Sequence, residues 1–495
     1  MPRLVAATLV FVSSAAVLVL EILAARLLAP YVGVTHEVYT ASIGVILAGI
    51  AAGSWWGGRA ADRVDPRGLL GPLIVAGGML SFVTVPIVDT LGAGMRGAGA
   101  TTTVIVTFAT FFAPAAVLTA VTPAVIKIQL SSLAETGRVV GRLSAIGTAG
   151  AIVGVFATGF VLIAAWPTRP TIRGLAIGLI VGGAVVWGWL RPRPPQVGVL
   201  VLAVATGAFS FAASHPCAFE STYYCAYVTA DPGRDDGYVL WLDTLRHSYV
   251  DLDDPTYLEF AYTGWFSDVI TAIAPEGEPL NALHIGGGAL TMPRYLRHAH
   301  PGSTSTVLEL DELLVELAVD ELGFTPGDDV ETVTGDARMT IRRLQPARPF
   351  DLVIGDAFGG VAVPWHLATR PFAADIRTHM ASDGLFVMNV LDHGSKAFLR
   401  AQIATVGAVF DHVAVISHPG AFARDGTVGG NHVVVASDTA LPIDEIVAAN
   451  RRRARVDEVL HGPAIDAWTA GAPVLTDDYA PVDQLLTPYP VAPTH

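Results

Sequence analysis

Ala282-Leu283-His284-Ile285-Gly286-Gly287-Gly288 is followed, one helix later, by Val307-Leu308-Glu309-Leu310-Asp311. The first stretch predicts a short buried strand, a bend of three glycines and a helix opening near Leu290. The second predicts a strand ending in acid. Glycines at a strand-to-helix bend let a ligand approach the backbone, and the helix N-terminus offers N–H groups without partners in the chain. An acid at the tip of the next strand stands where it can accept from both hydroxyls of a ribose. Together the two stretches point to an adenosine-containing ligand. Thr291 stands where the dinucleotide fingerprint has its third glycine, so a simpler nucleoside fits better than a nicotinamide dinucleotide. The structural alternative is a tight turn that binds nothing.

The downstream pattern widens this reading. Strand-like runs at 282–285, 306–310, 330–333, 351–354, 385–390, 412–417 and 433–437 alternate with helical spacing. That alternation predicts an α/β, Rossmann-like, doubly wound and mainly parallel sheet, whose ligands sit at the carboxyl ends of the strands. Three strands in turn are followed by an acid: Glu309, then Asp336 in Gly335-Asp336-Ala337-Arg338, then Asp356 in Gly355-Asp356-Ala357-Phe358. One such acid is commonly a helix N-cap. Three in succession, with a glycine bend on the strand before them, point to a site. Ahead of this fold, 222–230 and 238–250 alternate around the turn-forming 231–237 and predict a hairpin, followed by helical spacing over 256–273.

The totals divide the chain. Its 495 residues have a mean hydropathy of +0.51 and only 15% charged residues, and charges are sparse before Ala213 and frequent after Phe219. We read a transmembrane domain over 1–213, a hairpin-and-helix lead-in over 214–278, and a nucleoside-binding domain over 279–495. Seven runs approach the roughly 20 residues a bilayer crossing needs: 4–28, 38–56, 69–91, 103–126, 139–165, 172–190 and, shortest, 197–213. The first carries no small-residue cleavage site and reads as a retained span. A lipid bilayer is thus one expected partner, and the plasma (inner) membrane the expected location. The net charge of −14 argues against nucleic acid.

Arg59, Arg63, Arg67, Lys127, Arg138, Arg142, Arg191 and Arg193 fall in one set of loops; Arg96, Arg169 and Arg173 fall in the other. The positive-inside rule places the N-terminus in the cytoplasm, and seven crossings leave the soluble half outside. Cys217 and Cys225, the only cysteines, suit a bridge in an oxidising compartment, with two buried thiols as the alternative. A cytosolic nucleoside ligand pulls the other way, so sidedness stays open at this level. The proline-rich segment 191–196 reads as a stiff connector between spans. Glu21 is the intramembrane charge of most interest, because Arg26 and Lys127 can snorkel. No metal site is expected: His284, His298 and His300 lack ligand spacing, and His284 reads as a core histidine.

With these residues in view, the soluble half resembles the spermidine synthase (aminopropyltransferase) family, whose fold is shared with class I methyltransferases. Arg26-Leu27-Leu28-Ala29-Pro30-Tyr31 and Gly57-Gly58-Arg59-Ala60-Ala61-Asp62-Arg63 resemble bacterial proteins that fuse a multi-span domain to such a synthase. The resemblance implies decarboxylated S-adenosylmethionine, or S-adenosylmethionine, as co-substrate and an amine or polyamine as acceptor; a homo-oligomer is compatible with it. It implies that Gly286, Gly287, Gly288, Glu309 and Asp311 hold the ribose end, and Asp336 with Ala337 the adenine. Asp253-Asp254-Pro255-Thr256-Tyr257-Leu258-Glu259 resembles the family's active-site segment, which implies catalytic roles for Tyr257 and Glu259 beside Asp356. His247 stands where the family usually has glutamine. Two departures matter: Ala289 and Gly359 occupy positions where the family has carboxylates for the amine. Asp477 and Asp478, in an acidic loop, are candidates to replace them; an ordinary acidic turn is the alternative. The competing functions are a degenerate nucleoside- or polyamine-binding domain on a membrane carrier or sensor, and a methyltransferase.

Overall fold

The computed structural model describes all residues except 33–35, 93–99, 131, 191–196, 213–214, 216, 424–425 and 488–495. The 191–196 connector and Arg96, Arg191 and Arg193 therefore lie outside the described residues. The chain forms two compact units, one over 1–227 with 242–244, the other over 228–241 and from 245 onward.

The first unit is helical: α1 Arg3–Val32, α2 His36–Arg63, α3 Arg67–Gly92, α4 Ala100–Thr119, α5 Val121–Gln129, α6 Thr136–Ala157, α7 Ile163–Ala165, α8 Thr168–Leu190 and α9 Val197–Ala212. A π-helical segment, Thr158–Leu162, joins α6 to α7. Among the described residues, six stretches are long and apolar enough to cross a membrane: α1, Val38–Arg63, α3, Thr101–Gln129, Leu133–Ala165 and α8. The seventh expected span forms a helix of only 16 residues, shorter than the other six. The helix α1 is central, with Leu20, Leu23, Leu27 and Leu28 buried. Small residues bring its neighbours close: a Cβ on Gly150 would stand 2.3 Å from the Phe11 carbonyl oxygen, and one on Gly53 2.1 Å from that of Ala116.

Several charges inside this bundle are paired, whereas Glu21 of α1, the intramembrane acid singled out from the sequence, has a buried Oε2 that meets no donor among the described residues. Asp89 of α3 accepts from Arg169 of α8 (2.7 Å) and from the Tyr31 hydroxyl of α1 (2.9 Å), all three buried. At the opposite end, Gln129 donates to the Met1 carbonyl (2.9 Å) and Lys127 meets Asp62 (2.6 Å). Arg173, near the start of α8, donates to the Ser210 carbonyl near the end of α9 (2.6 Å), so these two helices run antiparallel. Beyond α9 a disulfide joins Cys217 to Cys225, with 5.3 Å between their Cα atoms.

A small sheet follows, β1 Phe219–Glu220, β2 Cys225–Ala230, β3 Gly237–Leu242 and β4 Leu245–Asp251, in that order. The run expected as one strand over 238–250 is two. Asp243 takes a left-handed φ of +52° and breaks it, its N–H donating to the Cys225 carbonyl (2.8 Å).

The second unit is built on eight strands: β5 Asn281–Ile285, β6 Thr304–Glu309, β7 Val330–Thr334, β8 Phe350–Gly355, β9 Met380–Asp392, β10 His412–Ser417, β11 Gly430–Ser437 and β12 Glu458–His461. Their order is β12-β10-β11-β9-β8-β5-β6-β7. Five strands, β7-β6-β5-β8-β9, are parallel; β11, β10 and β12 add antiparallel, making a mixed sheet. Sheet faces alternate as the pleat requires. Leu283, Ile285 and Val353 pack to one side with Phe372 and Phe398; Ala282, Leu352 and Ile354 pack to the other with Trp265 and Phe266 of α10 Ala261–Ile273. Each such buried side chain contributes about 1.5–3 kcal/mol. The strand order reverses at β5, and a crevice opens there at the carboxyl ends of β5, β6 and β8.

Candidate active site

Three strand tips are locked together at the glycine bend. Gly286 donates to the Leu308 carbonyl (2.9 Å), and Asp356 donates to that of Ile285 (2.8 Å). Gly286 has φ +93°, and a Cβ there would lie 2.4 Å from the Asp356 carbonyl oxygen, so only glycine serves. Glu309, at the end of β6, turns into the bend. Its Oε2 accepts from the N–H groups of Gly287 (2.7 Å) and Gly288 (3.2 Å), and its Oε1 from that of Asp311 (2.9 Å). Burial pushes this carboxyl's pKa up, and the three N–H groups oppose the rise. About four acceptor positions exist on a carboxylate, so one remains for a ligand hydroxyl.

Asp356 lies beside this bend. Its Oδ1 accepts from the Asn389 amide (2.9 Å) of β9, and Tyr262 of α10 lines the same cavity wall. Burial pushes its pKa up to about 6. A cavity of about 30 Å³, room for one water, is walled by the three glycines with His247, Ser248, Tyr262, His284 and Asp356. Asp356 is the sole carboxylate in that wall among the described residues. Burial lowers the pKa of His247 to about 4 and of His284 to about 3, so both rings are neutral at pH 7. His284 meets Ser305 Oγ (3.1 Å), and His247 meets Ser248 Oγ (3.1 Å), which accepts from Ala289 N–H (3.2 Å).

The remaining candidates lie elsewhere on the same unit. Asp336 caps α13 Ala337–Ile341 by accepting from Met339 N–H (3.0 Å), and its other oxygen meets His366 Nε2 (2.8 Å). It borders a second opening of about 370 Å³ together with Arg338, Trp365, His366 and Asp477. There Asp477 accepts from Arg338 (2.6 Å) and Thr369 (2.8 Å), while Asp478 is exposed in the 476–479 turn. Asp311 is buried and caps α12 Glu312–Asp320 through Leu313 N–H (3.2 Å). Tyr257 donates to Glu259 (2.7 Å), which raises the tyrosine's pKa; Arg234 stacks on its ring at 3.8 Å. Neither Tyr257 nor Glu259 is in the cavity wall. Ala289 is buried, and Gly359 turns tightly onto the Ala362 carbonyl (2.8 Å).

No family model matches the chain. A polyamine aminopropyltransferase of Vibrio vulnificus is 26% identical over 222 residues, 43% of this chain and 71% of that protein. A probable polyamine aminopropyl transferase of Bifidobacterium longum is 26% identical over 151 residues, 33% of its length. About two-fifths of this chain is thus similar to polyamine aminopropyltransferases. Among solved structures, a probable spermidine synthase from Corynebacterium glutamicum is 28% identical, with a TM-score of 0.48, over 55% of this chain and 98% of that one.

Set against this aminopropyltransferase likeness, the sequence brings Glu309, the glycines, Asp356 and His247 to one place, and leaves Tyr257 with Glu259, and Asp336 with Asp477, in two others. Sequence reasoning missed Tyr262, Asn389, Ser248 and His366. Asn389 had a visible signal, a lone amide inside the apolar run of β9.

Proposed function

We propose that the chain is a membrane-anchored transferase of the aminopropyltransferase type, using decarboxylated S-adenosylmethionine and an amine acceptor. The observation that carries the reading is Asp356, a half-buried carboxylate at the glycine bend that accepts from the neutral Asn389 amide and has the Tyr262 ring in the same cavity wall. The names of the curated relatives support the reaction class. In the transfer, a neutral acceptor nitrogen attacks the carbon beside the sulfonium. The C–N bond forms, the C–S bond breaks with its electron pair left on sulfur, and the ammonium proton leaves to a base. With a pKa near 6, Asp356 is ionised at pH 7 and basic enough to take that proton. Glu309 and the bend hold the ribose, Asp336 and Ala337 the adenine end, and Asp311 fixes the loop between them. Tyr257, Glu259 and His247 act on the acceptor side, with Asp477 and Asp478 as weaker candidates.

The same reading places the N-terminus in the cytoplasm and the α/β unit outside. Three features support it: α9 ends beside the start of α8, away from the Met1–Gln129 contact; Arg63, Arg67, Lys127 and Arg138 flank the Met1 end; and the Cys217–Cys225 bridge suits an oxidising compartment. A second reading, nucleoside binding without turnover, is favoured by Ala289 and Gly359, which leave one carboxylate in the cavity wall.

Titration of the full-length, detergent-solubilised protein with methylthioadenosine tests the ligand. Saturable binding, weakened tenfold or more in Glu309→Gln, is expected. No binding would end the nucleoside reading.

A further inference from the structure

The helical unit holds a cavity of its own, about 230 Å³, formed by α1 and α2 with residues around Glu220, Cys225 and Asp243. Its cationic groups are already committed. Arg26 donates through Nε to Thr168 Oγ1 (3.4 Å) and through its two terminal nitrogens to the carbonyls of Ser221 (2.6 Å) and Thr222, and it faces Glu220 at 3.5 Å. Arg169 is bonded to Asp89 (2.7 Å). Glu220 accepts from Thr168 N–H as well (2.8 Å).

Asp243 differs. It is 7% exposed and accepts from Cys225 N–H (3.1 Å), while its second oxygen meets no donor among the described residues. A buried carboxylate half-satisfied by one amide is costly unless a donor or cation completes it. The rest of the wall suits an organic cation: the rings of Tyr39 and Tyr223 and the apolar surface of Ala25, Ala29 and Pro30. Tyr39 is 48% exposed.

We propose that this cavity binds the ammonium group of a small organic amine through the Asp243 carboxylate, with Tyr39 and Tyr223 packed against its carbon chain. An anion is disfavoured because both guanidinium groups in the wall are already bonded to oxygens of the protein. The ammonium can come from a free alkylamine or from an ethanolamine lipid headgroup; the chemistry at Asp243 is the same. The site lies wholly within the helical unit and does not rest on the transferase reading.

The test uses full-length protein in a maltoside detergent, titrated with putrescine in one arm and examined by native mass spectrometry for retained phosphatidylethanolamine in the other. Beyond any equivalent the α/β unit takes as acceptor, one saturable equivalent of either is expected, unchanged in Asp356→Asn and weakened tenfold or more in both Asp243→Asn and Tyr39→Ala. Tyr39 is exposed, so its variant keeps the test open if Asp243→Asn does not fold. An intact Cys217–Cys225 bridge on non-reducing peptide mapping certifies either variant. Absence of both ligands overturns the proposal. So does a stoichiometry that Asp243→Asn and Tyr39→Ala leave unchanged, or loss of all binding in Asp356→Asn, which would place the amine in the α/β unit alone.

Discussion

Asp89 of the helical unit and the two acids at the glycine bend are held in opposite ways. In the helical unit Asp89 is held by a guanidinium and a phenol; in the α/β unit Asp356 is held by an amide, and Glu309 by three backbone N–H groups. A charge neutralised by its opposite is fixed, and removing one partner strands the other. A charge held only by dipoles keeps a raised pKa and remains free to exchange a proton. The first arrangement builds a bundle. The second is what proton-transfer chemistry requires.

Breaking the paired charge should cost most. Arg169→Leu leaves Asp89 buried without a cation, and we expect a loss of about 3–5 kcal/mol, read as a collapse in monodisperse protein after extraction. Asp89→Asn with Arg169→Gln should recover most of it; no recovery would show that the pair is not the cause.

Breaking the unpaired charge should act on turnover instead. Asp356→Asn should lower product formation by about 100-fold or more, with thermal stability at pH 7.5 equal to or above that of the parent. The sign follows from the raised pKa. Between the ordinary value of 3.8 and about 6 the folded state binds more protons than the unfolded one, so Asp356 makes the fold less stable as pH rises through that window. Removing its charge cannot cost stability above it. Activity runs the other way: kcat/KM should climb with pH through about 6, and a profile flat across that range would remove Asp356 as the base.

Glu309→Gln sharpens the contrast at a smaller scale. It retains one acceptor oxygen for the Gly287 and Gly288 N–H groups, turns an amide NH2 toward Asp311 N–H and loses charge, and nucleoside affinity should fall by about 1.5–3 kcal/mol, with kcat changed less than KM. Smallest is Asp477→Asn. Its ion pair with Arg338 is half exposed at 2.6 Å, so stability should shift by less than about 1 kcal/mol. A loss of turnover with nucleoside binding intact would instead return Asp477 to the acceptor site.

The glycine bend, the acid at each strand tip and the cysteine pair were legible because their signals are local. A bend needs glycine where φ is positive, and an acid at the end of a parallel strand can reach only the crevice or its own helix. Which of those two it reaches is not local. Glu309 turned to the bend, whereas Asp336 and Asp311 capped their helices, because distant residues decided it: His366 met Asp336, and burial closed over Asp311. Tyr262 and Asn389 reach Asp356 from α10 and β9, far apart in the chain, so no spacing rule could join them. The break at Asp243 was hidden because its flanks alternate as one strand would.

The most direct measurement combines purified full-length protein with decarboxylated S-adenosylmethionine and putrescine at pH 7.5, and follows both products by mass spectrometry. Methylthioadenosine and an aminopropylated amine should appear in equal amounts, and neither should accumulate with Asp356→Asn. Saturable nucleoside binding without either product, across a panel of amine acceptors, would contradict transfer at the glycine bend.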